Sequence, residues 1–333
     1  MKKFFAIGAA LFFWAALFAQ ESLQEQDGSE QEKPLAIRSV SIDASGGTKE
    51  KALREKLLAK EGMTFKNQAE LDAFVEKQKQ ELINSRLFEV SEIETSQDGD
   101  GNIDIKIKTV DTGHLMLLPY YKYSSNDGHT AKVKLKDDNF LGLMSPFSAD
   151  IFFQYEQKEN KSDDYVTGAS VVYALPFSIG PIKASWNNDH AFKYAFMRAE
   201  PEWNFNTGFS FCLPFENASP RLDLTQGFVR DSDYKVFGDE LYWVENARLS
   251  LPVVLERFDK AGNLVYTPQA EFDWKWNLDG ISSVNEDLIS PRLIFSHGLA
   301  VGQVNWIGNF RRGFSASAVQ SAAYDFYNNM FEP

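Results

Sequence analysis

Few residues of this 333-residue chain have the types and spacing for chemistry. Arg311, Arg312, Gly313 and Phe314 set two guanidiniums beside a glycine and an aromatic ring. A guanidinium pairs well with carboxylates through its planar fork. Carboxylates of the required kind, Glu271 and Asp273, lie two residues apart and so share one face of an extended segment. The other reading of Arg312, Gly313 and Phe314 is a hairpin turn followed by an ordinary strand, with Phe314, Ala316 and Ala318 alternating with Ser315 and Ser317. The four histidines, His114, His129, His190 and His297, have no metal-ligand spacing. There is no G-x-S-x-G elbow and no phosphate-cradling loop. Asp137-Asp138 and Asp163-Asp164 fall at turns, where carboxylates keep loops solvated. Cys212 is the single cysteine, so no intrachain disulfide can form, and it reads as a space-filling side chain on the polar face of its strand. These residues imply no enzyme centre, no cofactor and no metal.

The elements that carry them have a plain pattern. From about Leu115 onward the chain runs in ten-residue stretches in which apolar and polar residues alternate. Leu264, Tyr266, Pro268, Ala270, Phe272, Trp274 and Trp276 fall on one face, and Thr267, Gln269, Glu271, Asp273 and Lys275 on the other. The same holds for Phe147 to Glu156 and for Phe209 to Phe215. Strict alternation over such lengths is the signature of a transmembrane β-barrel, one face to lipid and the other to water. Met1-Lys2-Lys3, the apolar run Phe4 to Phe18 and a cleavage point after Ala19 read as a secretory signal peptide over residues 1–19. No later apolar run reaches the roughly 20 residues of a membrane helix, so a spanning structure must be a closed barrel. The net charge of −13 argues against a nucleic-acid partner, and 14% aromatic residues suits rings gathered at two membrane interfaces.

Residues 20–34 are acidic and nearly devoid of apolar side chains, which predicts a disordered linker. Residues 35–112 lack the long alternating stretches of the C-terminal part. Ile37, Val40 and Ile42 suggest a strand ending at Gly46-Gly47. Thr48 would cap a helix carrying Leu53, Leu57 and Leu58 and ending at Gly62. A second helix from Gln68 carries Leu71, Phe74, Val75, Gln78 and Leu82 at spacings of three and four. Phe88 to Val90, and Ile103, Ile105 and Ile107, then give two strands, for a βααββ order.

That order, with Gly62 to Phe65 as a "G-x-x-F" and Ser85 to Val90 as an "S-x-L-F-x-V" segment, resembles a POTRA domain of the BamA/TamA-like outer-membrane assembly-factor superfamily. The resemblance extends to the junction. There the tyrosine-rich Leu115 to Tyr123, the turn Asn126-Asp127-Gly128 and Asp138-Asn139-Phe140-Leu141-Gly142 look like a first barrel hairpin. It implies a mainly β fold, a small α+β POTRA module followed by an antiparallel barrel over residues 113–333. It further implies that Arg312-Gly313-Phe314 is a loop motif meeting lumenal carboxylates such as Glu271 and Asp273, and that the first strand, with Leu115, Leu117, Pro119, Tyr121 and Tyr123, offers an edge to clients. About ten to twelve strands fit in this length, fewer than the sixteen of the family, and the end at Asn328 to Pro333 looks like a hairpin turn, so the expectation is a sequence that stops early, with a genuine small barrel of ten or twelve strands and a larger barrel completed by strands of another chain as the alternatives. The implied function is non-enzymatic assembly or translocation of unfolded outer-membrane clients, with accessory periplasmic proteins or lipoproteins and outer-membrane lipid as further partners. Alternatives are a passive porin or adhesin barrel and a two-partner-secretion exporter.

Overall fold

The computed structural model describes residues 34–125, 128–156, 163–197, 199–231, 241–258, 261–276, 291–326 and 328–332. The signal segment 1–19, nearly all of the acidic segment 20–34 and Asn126-Asp127 of the first turn lie outside the described residues.

The N-terminal part is a four-stranded sheet under two helices. It comprises β1 (Leu35–Ser45), α1 (Glu50–Lys56), β2 (Thr64–Phe65), α2 (Gln68–Ser85), β3 (Phe88–Gln97) and β4 (Asn102–Asp111), in the sheet order β2-β1-β4-β3. β1 and β4 pair in parallel, and the other two pairings are antiparallel. Alternation along β4 sends Ile103, Ile105 and Ile107 into a core with Ile37, Val40, Leu53, Leu71 and Leu82. Truncating such a side chain to alanine costs about 2–5 kcal/mol. Gln78, also buried, accepts from the backbone N–H groups of Leu58 (2.6 Å) and Ala59 (3.1 Å), satisfying donors in the segment after α1. A bulge between Ile37 and Ser39 leaves Arg38 out of register, and its fork reaches Asp104 and Asp98. These hydrogen bonds, together with that from Ser39, hold the Asp104 carboxyl down to about 2.

Two expectations here need correction. α1 ends at Lys56, not at Gly62, and Thr48 does not cap it. The Thr48 N–H and hydroxyl both bind the Asp111 carboxylate at 2.8 Å, so a residue 63 positions away takes the capping side chain. The two-residue β2 also adds a short strand to the βααββ order.

The rest of the described chain is one antiparallel sheet of thirteen strands. They are β5 (Leu115–Ser124), β6 (Gly128–Asp137), β7 (Phe147–Glu156), β8 (Asp164–Ile179), β9 (Ile182–Ala195), β10 (Glu200–Cys212), β11 (Arg221–Arg230), β12 (Leu241–Ser250), β13 (Val253–Phe258), β14 (Gly262–Trp276), β15 (Arg292–Ile307), β16 (Phe310–Asp325) and β17 (Met330–Glu332). The count exceeds the expected ten to twelve because of two short strands, β13 along the first third of β14 and the three-residue β17. Each long strand pairs with its sequence neighbours, except that β12 reaches past β13 to β14. The sheet does not close among the described residues, because β5 pairs with β6 alone and β17 with β16 alone.

The two faces differ in kind. One carries ion pairs and hydrogen bonds across strands: Lys132 with Asp150 (2.9 Å), Arg221 and Arg248 with Asp223 (2.8 and 3.3 Å), and Asn246 donating to Glu271 (2.7 Å). The other carries Leu117, Ile151, Phe153, Phe192, Phe209, Leu224 and Phe272, all exposed. Near one end of the strands this face bears a row of rings, with Trp203–Phe228 centroids 5.8 Å apart, Phe228–Trp243 4.6 Å and Trp243–Trp276 5.8 Å.

Candidate functional site: a free strand edge and the cavity beneath it

β5 is the first strand of the large sheet, and one of its edges is unpaired among the described residues. Leu115, Leu117, Pro119, Tyr121 and Tyr123 share the apolar face and are all exposed, opposite Asp137, Leu135, Val133, Ala131 and His129 of β6. Near the far end the Tyr121 hydroxyl and His129 Nδ1 share a hydrogen bond of 2.6 Å.

Pro119 explains which side is open. Proline has no N–H to give to a ladder and is confined to places where a strand has an unpaired side. The other prolines within the large sheet's strands obey the same rule. Pro176 lies past the last β7 partner, Tyr173. Pro201 lies before the first β11 partner, Trp203. Pro268 falls between the β12 partner Gln269 and the β13 partner Tyr266.

Among the described residues, hydrogen bonds join the N-terminal module to the sheet's connections at two places. At the first, Asn139 in the β6–β7 connection donates through Nδ2 to Thr48 Oγ1 (2.7 Å), and Lys49 N–H donates to the Gly142 carbonyl (2.9 Å). Gly142 has φ +72°, and a Cβ there would strike the Gly47 carbonyl, so glycine is required both for conformation and for close approach. Asn139 N–H donates to Asp137, whose carboxylate also meets His114 Nδ1 at 2.6 Å. The second contact is at the β15–β16 hairpin. Asn84 near the end of α2 accepts from Trp306 N–H (2.9 Å) and donates to Asn305 (3.2 Å), while Gln80 donates to the Trp306 carbonyl (3.0 Å). Arg86, the residue after α2, lies 4.1 Å over the Trp306 ring, and Arg311 lies 4.9 Å over the same ring. The module thus bridges hairpins at opposite ends of the open sheet. Between them is a cavity of about 820 Å³ lined by residues of α2, the start of β5 and the β15–β16 hairpin.

The expected loop motif is not brought to its expected partners. Arg312, Gly313 and Phe314 lie in β16, paired with Asn305, Val304 and Gln303 near the hairpin that contacts the module. Glu271 pairs across the sheet with Ile294, which pairs with Ala323. Arg312 is eleven positions from Ala323 along β16, about 36 Å at the usual rise per residue. The hydrogen bonds to Glu271 come from Asn246 and Gln269 in the same wall. Asp273 is two residues further along, opposite Arg292. Arg312-Gly313-Phe314 has the geometry of the hairpin and strand, with Phe314 and Ala316 on the apolar face.

Sequence reasoning passed over Asn84, Arg86 and Trp306. Arg86 shows its distinction only in the structure. It follows a helix in the left-handed conformation (φ +56°), where glycine is the usual residue.

Compared with known proteins, no family model matches this chain and no curated protein matches it. Among solved structures it is similar to BamA from Haemophilus ducreyi lacking POTRA domains 1–3, at 13% identity and a TM-score of 0.36, over 87% of this chain and 71% of that one. It is also similar to CdiB from Acinetobacter baumannii, at 12% identity and a TM-score of 0.40, and to CdiB from Escherichia coli, at 12% and 0.32. Each comparison covers 87% of this chain. The chain spans 52% of the Acinetobacter protein and 70% of the Escherichia one. Similarity at this level fixes neither the family nor the function.

Proposed function

We propose that this chain is an outer-membrane β-barrel protein that handles other polypeptides. The N-terminal module acts as a POTRA domain that receives unfolded clients in the periplasm, and the free edge of β5 templates their strands into the membrane. The observation that carries the reading is the β5 edge, unpaired among the described residues, exposed and apolar on one face, at the rim of a sheet whose two faces are one polar and one apolar. An edge strand with free N–H and C=O groups is a template for strand addition. In hydrocarbon such an edge is costly, so a partner strand is strongly favoured there. The row of Trp and Phe rings on the apolar face supports a membrane interface. Polar residues facing the other way suit a hydrated interior.

Depletion of the protein in its own cell, followed by quantification of the other outer-membrane barrels, tests this. Several should fall together. Unchanged levels refute assembly activity, and a stable ionic conductance from the purified chain in a planar bilayer would assign it instead to the passive pores.

A further inference from the structure

Arg86 and Arg311 differ from the carboxylate-paired arginines of the chain in sharing one aromatic partner. Arg38, Arg54, Arg221, Arg248 and Arg292 each have a carboxylate within 3.3 Å. Arg86 and Arg311 have none among the described residues, and both lie over one indole, that of Trp306. This happens in a chain with 47 acidic residues against 34 lysines and arginines, where carboxylates are plentiful. Both guanidiniums line the 820 Å³ cavity between the module and the sheet. Lys56 lines it too, while Lys136 is neutralised by Asp138 at 2.7 Å. Glu81 is the remaining carboxylate of the lining.

The backbone at Arg86 supports a site. A non-glycine residue in the left-handed region is strained relative to glycine, and such strain gathers at binding positions. That conformation is what accompanies the Arg86 side chain over Trp306. The rest of the lining includes apolar Leu82, Leu87, Met144 and Pro146. His114, just before β5, and Met116, its second residue, also line the cavity, so a strand laid along the β5 edge runs off its end directly into this space.

We propose that this cavity binds an acidic stretch of an extended polypeptide, carboxylates on Arg86 and Arg311 and intervening apolar side chains on the cavity wall. Contact with the Trp306 ring holds both guanidiniums at the cavity, where their N–H groups can take carboxylate oxygens in pairs. The occupant is another chain. The protein's own acidic segment joins β1 at Pro34, and the eleven residues of β1 separate that end from the cavity by about 36 Å. Of its carboxylates Glu21, Glu25, Asp27, Glu30 and Glu32, only Glu21 is far enough along the chain to reach. The inference deepens the client-handling reading and rests on it for the source of the peptide.

The test uses the full chain in detergent micelles and two fluorescent peptides, one alternating Glu with Val and the other Gln with Val. Fluorescence anisotropy should show the Glu peptide binding about tenfold or more tightly than the Gln peptide, with the difference shrinking at high salt. Arg86→Gly, which suits the local backbone and preserves the fold, and Arg311→Gln should each weaken the Glu peptide by about tenfold. Equal affinity for the two peptides overturns the proposal, as does Glu-peptide binding unchanged in both variants. Inorganic phosphate that binds where the Glu peptide does not overturns it in favour of a phosphate site. Membrane integration is scored separately by carbonate extraction of the cell membranes. Peptide binding without integration leaves the cavity assignment standing and removes the outer-membrane reading, and integration without peptide binding does the reverse.

Discussion

Asn84→Ala isolates the hold of the module on the far hairpin. Asn84 accepts from Trp306 N–H at 2.9 Å and donates to Asn305 at 3.2 Å, and Gln80 donates to it at 2.9 Å. Truncation removes both direct bonds to the hairpin and leaves a half-buried backbone N–H unpaired. At about 0.5–1.5 kcal/mol for each bond, the contact should weaken by about 1–3 kcal/mol. That corresponds to an opening equilibrium shifted roughly 5- to 150-fold. Hydrogen exchange of the Trp306 amide reads this directly, because its protection is the opening equilibrium of the contact. The Trp306 amide should exchange faster within that range, while amides in the middle of β10 and β11, far from the module, keep their rates. An unchanged Trp306 rate would mean that the module does not close on the hairpin in solution. Acceleration of equal size in β10 would mean global destabilisation and would refute the local account.

Gly142→Ala and Gly62→Ala form a controlled pair, since both have positive φ (+72° and +85°) but only the first would meet another atom, the Gly47 carbonyl. Gly62→Ala should cost about 1 kcal/mol in thermal or urea unfolding, and Gly142→Ala clearly more, with loss of the Lys49–Gly142 contact. In the module, the Asp104 carboxyl should titrate near 2 by NMR, and Arg38→Met should bring it back up towards the ordinary aspartate value. Because its folded value is depressed, the Arg38–Asp104 contribution is fully present above about pH 4 and is lost as pH falls through 2. Pro119→Val should add a donor to the β5 edge. In a vesicle insertion assay it should raise capture of an added β-hairpin peptide, and no change would show that this edge is not where strands are added.

The alternating stretches were legible because a wall with two faces repeats every two residues. Phe147 to Glu156 and Leu264 to Trp276 are β7 and nearly all of β14. α2 was legible from its apolar spacing, and it begins at Gln68 under an Asn67 cap that accepts from Glu70 N–H at 2.9 Å. α1 was misjudged at both ends because what decides them is distant in sequence, Asp111 taking Thr48 at one end and Gln78 taking the N–H groups of Leu58 and Ala59 at the other. The same limit hid the mouth of the sheet. Asn84 and Trp306 are 222 positions apart, and neither belongs to a periodic pattern. Arg312-Gly313-Phe314 has two readings, a loop motif implied by resemblance and a hairpin and strand read from the alternation of Phe314, Ala316 and Ala318, and these residues lie in β16 as the alternation describes.

Pro119 also limits what the β5 edge can do. It falls fifth in a ten-residue strand. Since its nitrogen cannot donate towards β6, it sits where the missing donor faces the open side. A strand added to β5 would therefore find a gap in the ladder, with Leu115 to Leu118 on one side and Tyr120 to Ser124 on the other. Fewer donors weaken the hold on any single strand, which favours release as well as capture. The gap also gives the edge a register mark, because a partner aligns best with its own non-bonding position, or a proline, opposite Pro119. A permanent barrel seam gains from a complete ladder. A seam that must open and accept successive strands gains from one that is interrupted, and the interrupted edge runs into the cavity where Arg86 and Arg311 have no carboxylate among the described residues.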